Sequence, residues 1–360
     1  MPESTKSSQP DPSLWAVILA GGVGSRFWPV STPERPKQLL ALGPGPSLIS
    51  DTIERILPLV SPERIRILSG EQLGRALLSQ VPALNAGNLL VEPAARGTGP
   101  VLAWAAAKIA QIDPAAVMAS LHSDHVIAQP SVFRTQLLAA AKHAATHHTL
   151  VTLGVPPTRP ETGYGYIRAG ERVPDTIEAY RVARFVEKPS RELASDYVRQ
   201  GYLWNSGIFV WPVATLLEQI RACAPEIAEH LSLIEEGRDA EFFARVPSSS
   251  IDEAVLERSQ RVTVVPAHFT WDDVGAWDAV GRTRPADANG NVMVGSVSAV
   301  DATDNIAWAD EGAIVLFGVE DLVVVRTGNV TLVAARERTA DLKSLLNNLP
   351  AALRELKSDD

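Results

Sequence analysis

A glycine cluster, two cations and an aspartate have types and spacing suited to chemistry on an anion. Gly21, Gly22 and Gly24 stand together in Leu19-Ala20-Gly21-Gly22-Val23-Gly24-Ser25-Arg26, and a second cation, Lys37, follows in Pro36-Lys37-Gln38. Lacking Cβ atoms, the glycines let backbone N–H groups approach an oxyanion closely, and a helix expected to begin near Ser25 would add its positive end. With Arg26 and Lys37 beside it, the loop reads as a phosphate cradle. A tight strand-to-helix turn is the plainer account of the glycines, but it leaves the two cations unexplained. Asp124, in Leu121-His122-Ser123-Asp124-His125, follows an apolar run, so its carboxylate would sit at a strand tip, where it could hold Mg²⁺ or simply cap a helix. His122 and His125 invite zinc, but no further His or Cys stands at suitable spacing, and His143, His147 and His148 read as the solvated face of a helix.

Two common phosphate loops are excluded. Gly-x-x-x-x-Gly-Lys-Ser/Thr is absent, and Phe27 replaces the third glycine of a dinucleotide fingerprint.

Elements alternating along the chain must position these groups. Leu14 to Leu19 is an apolar run too short for a helix, as a buried parallel strand would be. Ile49 to Leu59 has helical spacing, Ile65 to Leu68 reads as a strand, Glu71 to Leu78 as a helix and Asn88 to Val91 as a strand. Val101 to Gln111 is an alanine-rich helix, Val117 to Leu121 a strand, Val132 to His148 a helix, and Thr149 to Val155 a strand. This β-α order predicts a Rossmann-like, doubly wound, mostly parallel α/β sheet with its chemistry in loops beyond the strands' carboxyl ends. After Pro285 the texture changes to short β-rich runs punctuated by Asn-Gly, Asp-Asn and Gly-Asn turns, which argues a small all-β unit. The expected divisions are a disordered leader over 1–13, a catalytic domain over 14–284, the β-unit over 285–335, and a terminal helix (Arg336 to Leu349) and tail over 336–360.

Composition narrows the partners. The 360 residues carry a formal net charge of −9, so nucleic acid and anionic membrane are poor partners and a phosphate ligand needs locally placed cations. Cys223 is the only cysteine, which excludes an intrachain disulfide and suits a reducing, cytoplasmic setting. No window is apolar enough for a membrane helix.

Leu19-Ala20-Gly21-Gly22, Gly24-Ser25-Arg26-Phe27-Trp28-Pro29 and Pro36-Lys37-Gln38 together resemble the signature of sugar-1-phosphate nucleotidylyltransferases, in the version carried by mannose-1-phosphate guanylyltransferases. Later motifs extend the likeness: Glu92-Pro93-Ala94-Ala95-Arg96-Gly97-Thr98-Gly99-Pro100, Thr162-Gly163-Tyr164-Gly165-Tyr166, Glu187-Lys188-Pro189, Trp204-Asn205-Ser206-Gly207, Ser250-Ile251-Asp252 and Trp271-Asp272-Asp273-Val274-Gly275. The family usually has Asn and Ala where Gly97 and Gly99 stand, and an aromatic residue at Glu253.

The resemblance implies transfer of GMP from GTP to mannose 1-phosphate, with Mg²⁺ held by Asp124 and Asp273 and with Asp272 as a solvated neighbour. It implies nucleotide contacts from Leu19, Ala20, Gly21, Gly22, Gly24, Ser25, Arg26, Lys37, Glu92, Arg96, Thr98 and Asp124. Glu92 would accept from the guanine N1–H and 2-amino groups, which a carboxylate suits. Gly163, Tyr164, Glu187, Lys188 and Asn205 would hold the sugar phosphate. Arg26 and Lys37 would hold the leaving pyrophosphate and Lys188 the nucleophile, so that Arg26, Lys37, Asp124, Lys188 and Asp273 carry the catalysis. The β-unit would be a short left-handed β-helix, and a homodimer is expected. Alternatives are the same chemistry with another base or hexose, such as thymidylyl transfer to glucose 1-phosphate, or a non-catalytic nucleotide-sugar sensor.

Overall fold

The structure, a computed structural model, describes residues 13–350 except 176, together with residue 353. The expected leader therefore lies outside the described residues save for Ser13, as does most of the tail.

The first half builds β1 (Leu14–Leu19), α1 (Leu48–Ile56), β2 (Ile65–Ser69), α2 (Glu71–Ser79), β3 (Leu89–Val91), α3 (Thr98–Ile112), β4 (Val117–His122), β5 (Val126–Ile127), α4 (Pro130–His147) and β6 (Leu150–Val155). A hairpin of β7 (Tyr166–Arg172) and β8 (Tyr180–Val186) leads through α5 (Arg191–Arg199) to β9 (Leu203–Pro212). Helices α6 (Val213–Cys223), α7 (Pro225–Ala228), α8 (Leu231–Glu235) and α9 (Asp239–Arg245) precede β10 (Val262–Pro266), β11 (Trp271–Asp272) and α10 (Asp278–Thr283).

Nine strands form one sheet in the order β3-β2-β1-β4-β9-β6-β10-β8-β7. The pairs β2–β3, β1–β2, β1–β4 and β6–β10 are parallel, whereas β9 runs antiparallel between β4 and β6. Successive side chains of β1 alternate between two cores, as strand geometry demands: Leu14, Ala16 and Ile18 join the α1/α4 face, and Trp15, Val17 and Leu19 the α3/α6 face. Burial on both faces is why β1 reads as a continuous apolar run. Because β9 enters where β6 leaves, with Asn205 opposite Gly154 and Trp204 opposite Val155, its first residues arrive at the carboxyl ends of the parallel strands.

The C-terminal unit stacks β12 (Val292–Val294), β14 (Ile306–Ala309) and β16 (Leu322–Thr327) in parallel, closes with antiparallel β17 (Val330–Ala335), and pairs β13 (Val297–Val300) with β15 (Ile314–Phe317). Its core continues into the first domain: Trp308, Ile306 and Val323 pack in one cluster with Phe27, Trp28, Leu40 and Trp277.

Three expectations are corrected. No α-helix follows the glycine loop. Ser25–Phe27 is one 3₁₀ turn, and Lys37–Leu39 another, because Pro29, Pro33 and Pro36 lack the N–H donors a helix needs. The terminal helix is split into 3₁₀ turns over Arg336–Asp341 and α11 (Leu342–Asn348). His143 is buried rather than on a solvated face, while His147 and His148 are exposed.

Candidate active site

The glycine loop is held from below. Gln38 Nε2 donates to the carbonyls of Gly21 (3.0 Å) and Gly22 (3.2 Å), and the Lys37 amide donates to the Val23 carbonyl (3.0 Å). Gly21 and Gly22 remain exposed, and Arg26 is exposed at the rim. Gly24 sits at φ +75°, and a Cβ there would lie 2.3 Å from Lys37 Cβ, so glycine is needed both for the backbone and for the lysine stem crossing it.

Lys37 is then delivered to Asp124 and to the main chain at Asp273. Strands β5 and β11 pair antiparallel, Asp272 opposite Val126, and this ribbon brings the residues flanking it, Asp124 and Asp273, to one place. Lys37 Nζ, nearly buried, donates to Asp124 Oδ2 (2.8 Å) and to the Asp273 carbonyl (2.7 Å). The lysine expected to stand beside Arg26 on the leaving group thus lies between the two expected metal ligands. Burial pushes the Asp124 carboxyl upward, but Lys37 and the neighbouring His125 and His122 outweigh it and hold the pKa at about 2. Asp273 is raised, mainly by burial, with the Asp272 and Asp124 charges adding to it.

The partner of Asp273 was not visible in the sequence. Tyr164, expected at the sugar, donates its hydroxyl to Asp273 Oδ1. Its ring stands edge-on between Trp204 (5.2 Å) and Trp271 (5.3 Å), and Arg159 reaches its oxygen at 3.3 Å. Asp272 is not a solvated neighbour: it is buried, accepts the Val274 amide (2.8 Å) and is paired with Arg282 (2.7 Å). Of the two adjacent aspartates only Asp273 lines the cavities.

His122 and His125 stack at 4.4 Å, and with Asp124 their possible ligand atoms all lie within 4.8 Å of one another. Trp271 Nε1 donates to His125 Nδ1 (3.1 Å), which engages one ring nitrogen, and burial lowers the pKa of both histidines.

A small cavity of about 210 Å³ opens beside this cluster, lined by Leu19, Thr98, Glu187, Asn205 and Asp252 among others. Glu187 pairs with Lys188 Nζ (2.8 Å), and its other oxygen fills the place a Cβ on Gly165 would need, 2.6 Å away. Gly163 lines both cavities, its amide donating to Glu161 Oε1 (3.2 Å). Asn205 is engaged by protein at both ends: Oδ1 accepts from Thr152 (3.1 Å) and Nδ2 donates to Asp252 Oδ1 (2.8 Å). Sequence reasoning gave Asp252 no role at the site, yet it lines the cavity from a wide π-type turn over Asp252–Leu256. Burial, reinforced by Glu187, raises its pKa to about 7.

Glu92 follows β3 and is half-buried, its pKa raised by burial alone. Arg96 does not turn to this carboxylate; its Nε donates to the Phe243 carbonyl (2.7 Å). Thr98 Oγ1 accepts from the Ile251 amide (2.9 Å). Gly97 and Gly99 have a local cause, because a Cβ on Gly97 would lie 2.4 Å from the Ser249 carbonyl and one on Gly99 3.0 Å from Ser249 Oγ. A larger cleft of about 1170 Å³ continues outward from Asp273 past Arg26, Tyr164 and Lys188 to Arg336 of the C-terminal unit.

The sequence model of the family described as Nucleotidyl transferase matches residues 15–289, and that of the MannoseP isomerase/GMP-like beta-helix domain matches residues 295–349. The chain belongs to the nucleotidyl transferase family. This nucleotidyl transferase is 36% identical over 357 residues to a mannose-1-phosphate guanylyltransferase of Salmonella muenchen, covering 94% of this chain and 74% of that protein. It is likewise 36% identical to the alginate biosynthesis protein AlgA of Pseudomonas aeruginosa, over 93% of this chain and 72% of that one. A crystal structure titled mannose-1-phosphate geranyltransferase, from Thermus thermophilus, superposes with a TM-score of 0.86 at 35% identity, covering 93% of this chain and 99% of that one. Nucleotidyl transferases of this kind generally use a divalent metal. No helix among the described residues is long and apolar enough to cross a membrane.

Proposed function

We propose that this chain transfers GMP from GTP to mannose 1-phosphate, giving GDP-mannose and pyrophosphate. The observation that carries the reading is that one ammonium group, Lys37, bonds the Asp124 carboxylate and the backbone carbonyl of Asp273, beside a glycine loop whose backbone faces solvent. Both substrates are anions, so the barrier is one of charge and position. A phosphate oxygen of the sugar 1-phosphate attacks the α-phosphorus in line, and the bond to the β-phosphate oxygen breaks. No general base is required, since a phosphate monoester is largely ionised at neutral pH.

Each residue has a part. Gly21, Gly22, Gly24 and Ser25 cradle the triphosphate, Arg26 at the rim meets the leaving pyrophosphate, and Lys188 across the cleft draws in the sugar phosphate. Glu92 reads the guanine edge, with Leu19, Ala20, Arg96 and Thr98 shaping the nucleotide side. Glu187 and Asn205 face the sugar hydroxyls. Asp124 offers a carboxylate already paired with a cationic ammonium, and Asp273 a buried carboxylate whose charge interacts with that of Asp124; both are hard oxygen donors, so the pair fits Mg²⁺. When bound, the ion supplies neutralisation of the phosphate charges; Lys37 supplies part of it from the protein. The same reading includes a homodimer, supported by exposed Val300, Val315 and Phe317 on the β-unit, and a cytoplasmic setting, supported by the single unbridged Cys223.

The test is pyrophosphate release over a panel of nucleoside triphosphates and hexose 1-phosphates, with and without Mg²⁺. GTP with mannose 1-phosphate should be preferred and metal-dependent. Asp124→Asn should abolish turnover while GTP binding persists; full activity in that variant would contradict the assignment.

A further inference from the structure

At the end of the domain remote from the glycine loop, α4 and the tip of the β7–β8 hairpin come together. His143 and His147 lie four residues apart on α4, hence on one face, with ring centroids 4.4 Å apart. Asp175, from the hairpin loop, places its Oδ2 2.5 Å from His143 Nδ1 and 2.9 Å from His147 Nε2. We propose that His143, His147 and Asp175 form a site for a transition-metal ion of the zinc type, which ties the hairpin tip to the end of α4.

The geometry needs little change. Zinc–nitrogen and zinc–oxygen bonds of about 2.0–2.2 Å set tetrahedral ligands roughly 3.3 Å apart, so each ring nitrogen moves from the carboxylate by less than about 1 Å. All three ligand atoms already lie within 4.8 Å of one another. Two imidazoles and one carboxylate select zinc, nickel or copper over magnesium and calcium. His143 is buried, and burial lowers its pKa, which favours the neutral ring that can ligate. On binding, the ion replaces the two His–Asp hydrogen bonds, and each neutral ring carries its proton on the nitrogen turned away from the cluster. His147, one-third exposed, leaves a route for the ion and a fourth position for water.

The site has a structural consequence. The far end of the hairpin is closed by the Val173 amide on the Ala179 carbonyl (2.8 Å). The near end carries Gly163, Tyr164, Glu187 and Lys188, so an ion at the tip would anchor the element that presents them.

The test uses the full chain after chelator treatment, titrated calorimetrically with Zn²⁺ in excess Mg²⁺, against His147→Ala and Asp175→Asn. Wild type should take up one Zn²⁺ that both variants bind at least about tenfold more weakly, a loss of the size seen when metal-site partners are removed. Zn²⁺ should also raise the thermal midpoint of wild type and not of His147→Ala. Because His147 is exposed, its replacement leaves the fold intact; His147→Gln is the second variant, and GMP transfer in excess Mg²⁺ should be unchanged in both. Equal Zn²⁺ uptake by wild type and His147→Ala, or no Zn²⁺-dependent shift in wild type, overturns the proposal and leaves an aspartate hydrogen-bonded to two histidines.

Discussion

Replacing Tyr164 by Phe separates two accounts of that residue. By resemblance it belongs to the sugar; in the structure its hydroxyl is bonded to Asp273 Oδ1. A hydrogen bond to a charged acceptor contributes about 1.5–3 kcal/mol, equivalent to roughly 10- to 150-fold in an equilibrium constant. Loss of a group that orients a metal ligand costs about 10- to 100-fold in metal affinity, which agrees with that range. The phenyl ring would keep the edge-on contacts with Trp204 and Trp271, so the fold should survive. The sign of the pH effect follows from the same bond. Tyr164 lowers the pKa of Asp273, so its loss raises that pKa and moves the acid limb of metal binding to higher pH. The assay is pyrophosphate release against Mg²⁺ at saturating substrates, paired with direct Mn²⁺ titration of the substrate-free protein. The half-saturating Mg²⁺ concentration should rise roughly tenfold or more, with KM for sugar phosphate little changed. An unaltered metal requirement with a raised sugar-phosphate KM would refute the reasoning and return Tyr164 to the sugar.

Other perturbations test neighbouring parts of the site. Asp252 has a folded pKa of about 7 against an ordinary 3.8, so its contribution to stability is complete below about pH 4 and lost as pH rises through 7, when it ionises beside Glu187. Asp252→Asn should therefore raise the thermal midpoint relative to wild type more at pH 8 than at pH 5; an equal difference at both would show that the carboxyl is ionised throughout. Gly24→Ala places a Cβ against Lys37 in a left-handed backbone, so it should destabilise the fold by about 1–3 kcal/mol and weaken turnover, measured by denaturant melts and pyrophosphate release. Glu92→Gln should erode preference for GTP over ATP by roughly tenfold or more in kcat/KM, because a half-buried acceptor matched to two donors is lost.

Much of the parallel sheet was legible because its strands are buried on both faces and therefore read as apolar runs between helical periods. The glycine loop and Asp124 were legible for a related reason: their signals are contiguous. What escaped was pairing over distance. Tyr164 lies 109 residues from the aspartate it contacts, and Asp252 lies 47 from Asn205, so local pattern gave their types but not their partners. The expected helix at Ser25 came from the general habit of glycine loops to open helices, and the prolines that follow prevent it. Asp272 and Asp273 could be ranked only by resemblance, because one ends a two-residue strand and the other follows it, and only the fold decides which of them meets Arg282. His143 was misplaced because the alanines around it blur the helical face, and its partner, Asp175, lies 32 residues away on the hairpin loop.

The C-terminal unit is therefore better understood as part of the wall of the site than as an appendage. Phe27, in the turn directly after the glycines, packs on Trp277 (5.2 Å between centroids), which packs on Trp308 of β14 (5.6 Å). Trp277 Nε1 also donates to the Trp28 carbonyl (3.1 Å), and Arg336, from the turn after β17, pairs with Asp278 at the start of α10 (2.6 Å). Short 3₁₀ turns like those holding Arg26 and Lys37 have few internal hydrogen bonds and take their rigidity from packing. Here that packing comes from a core shared with the β-unit, so the position of the two cations depends on residues far along the chain, Trp277 and Trp308 among them. Loosening Trp308 should accordingly disturb the phosphate side of the cleft before it disturbs the sugar cavity, whose walls belong to the central sheet and the turn at Asp252.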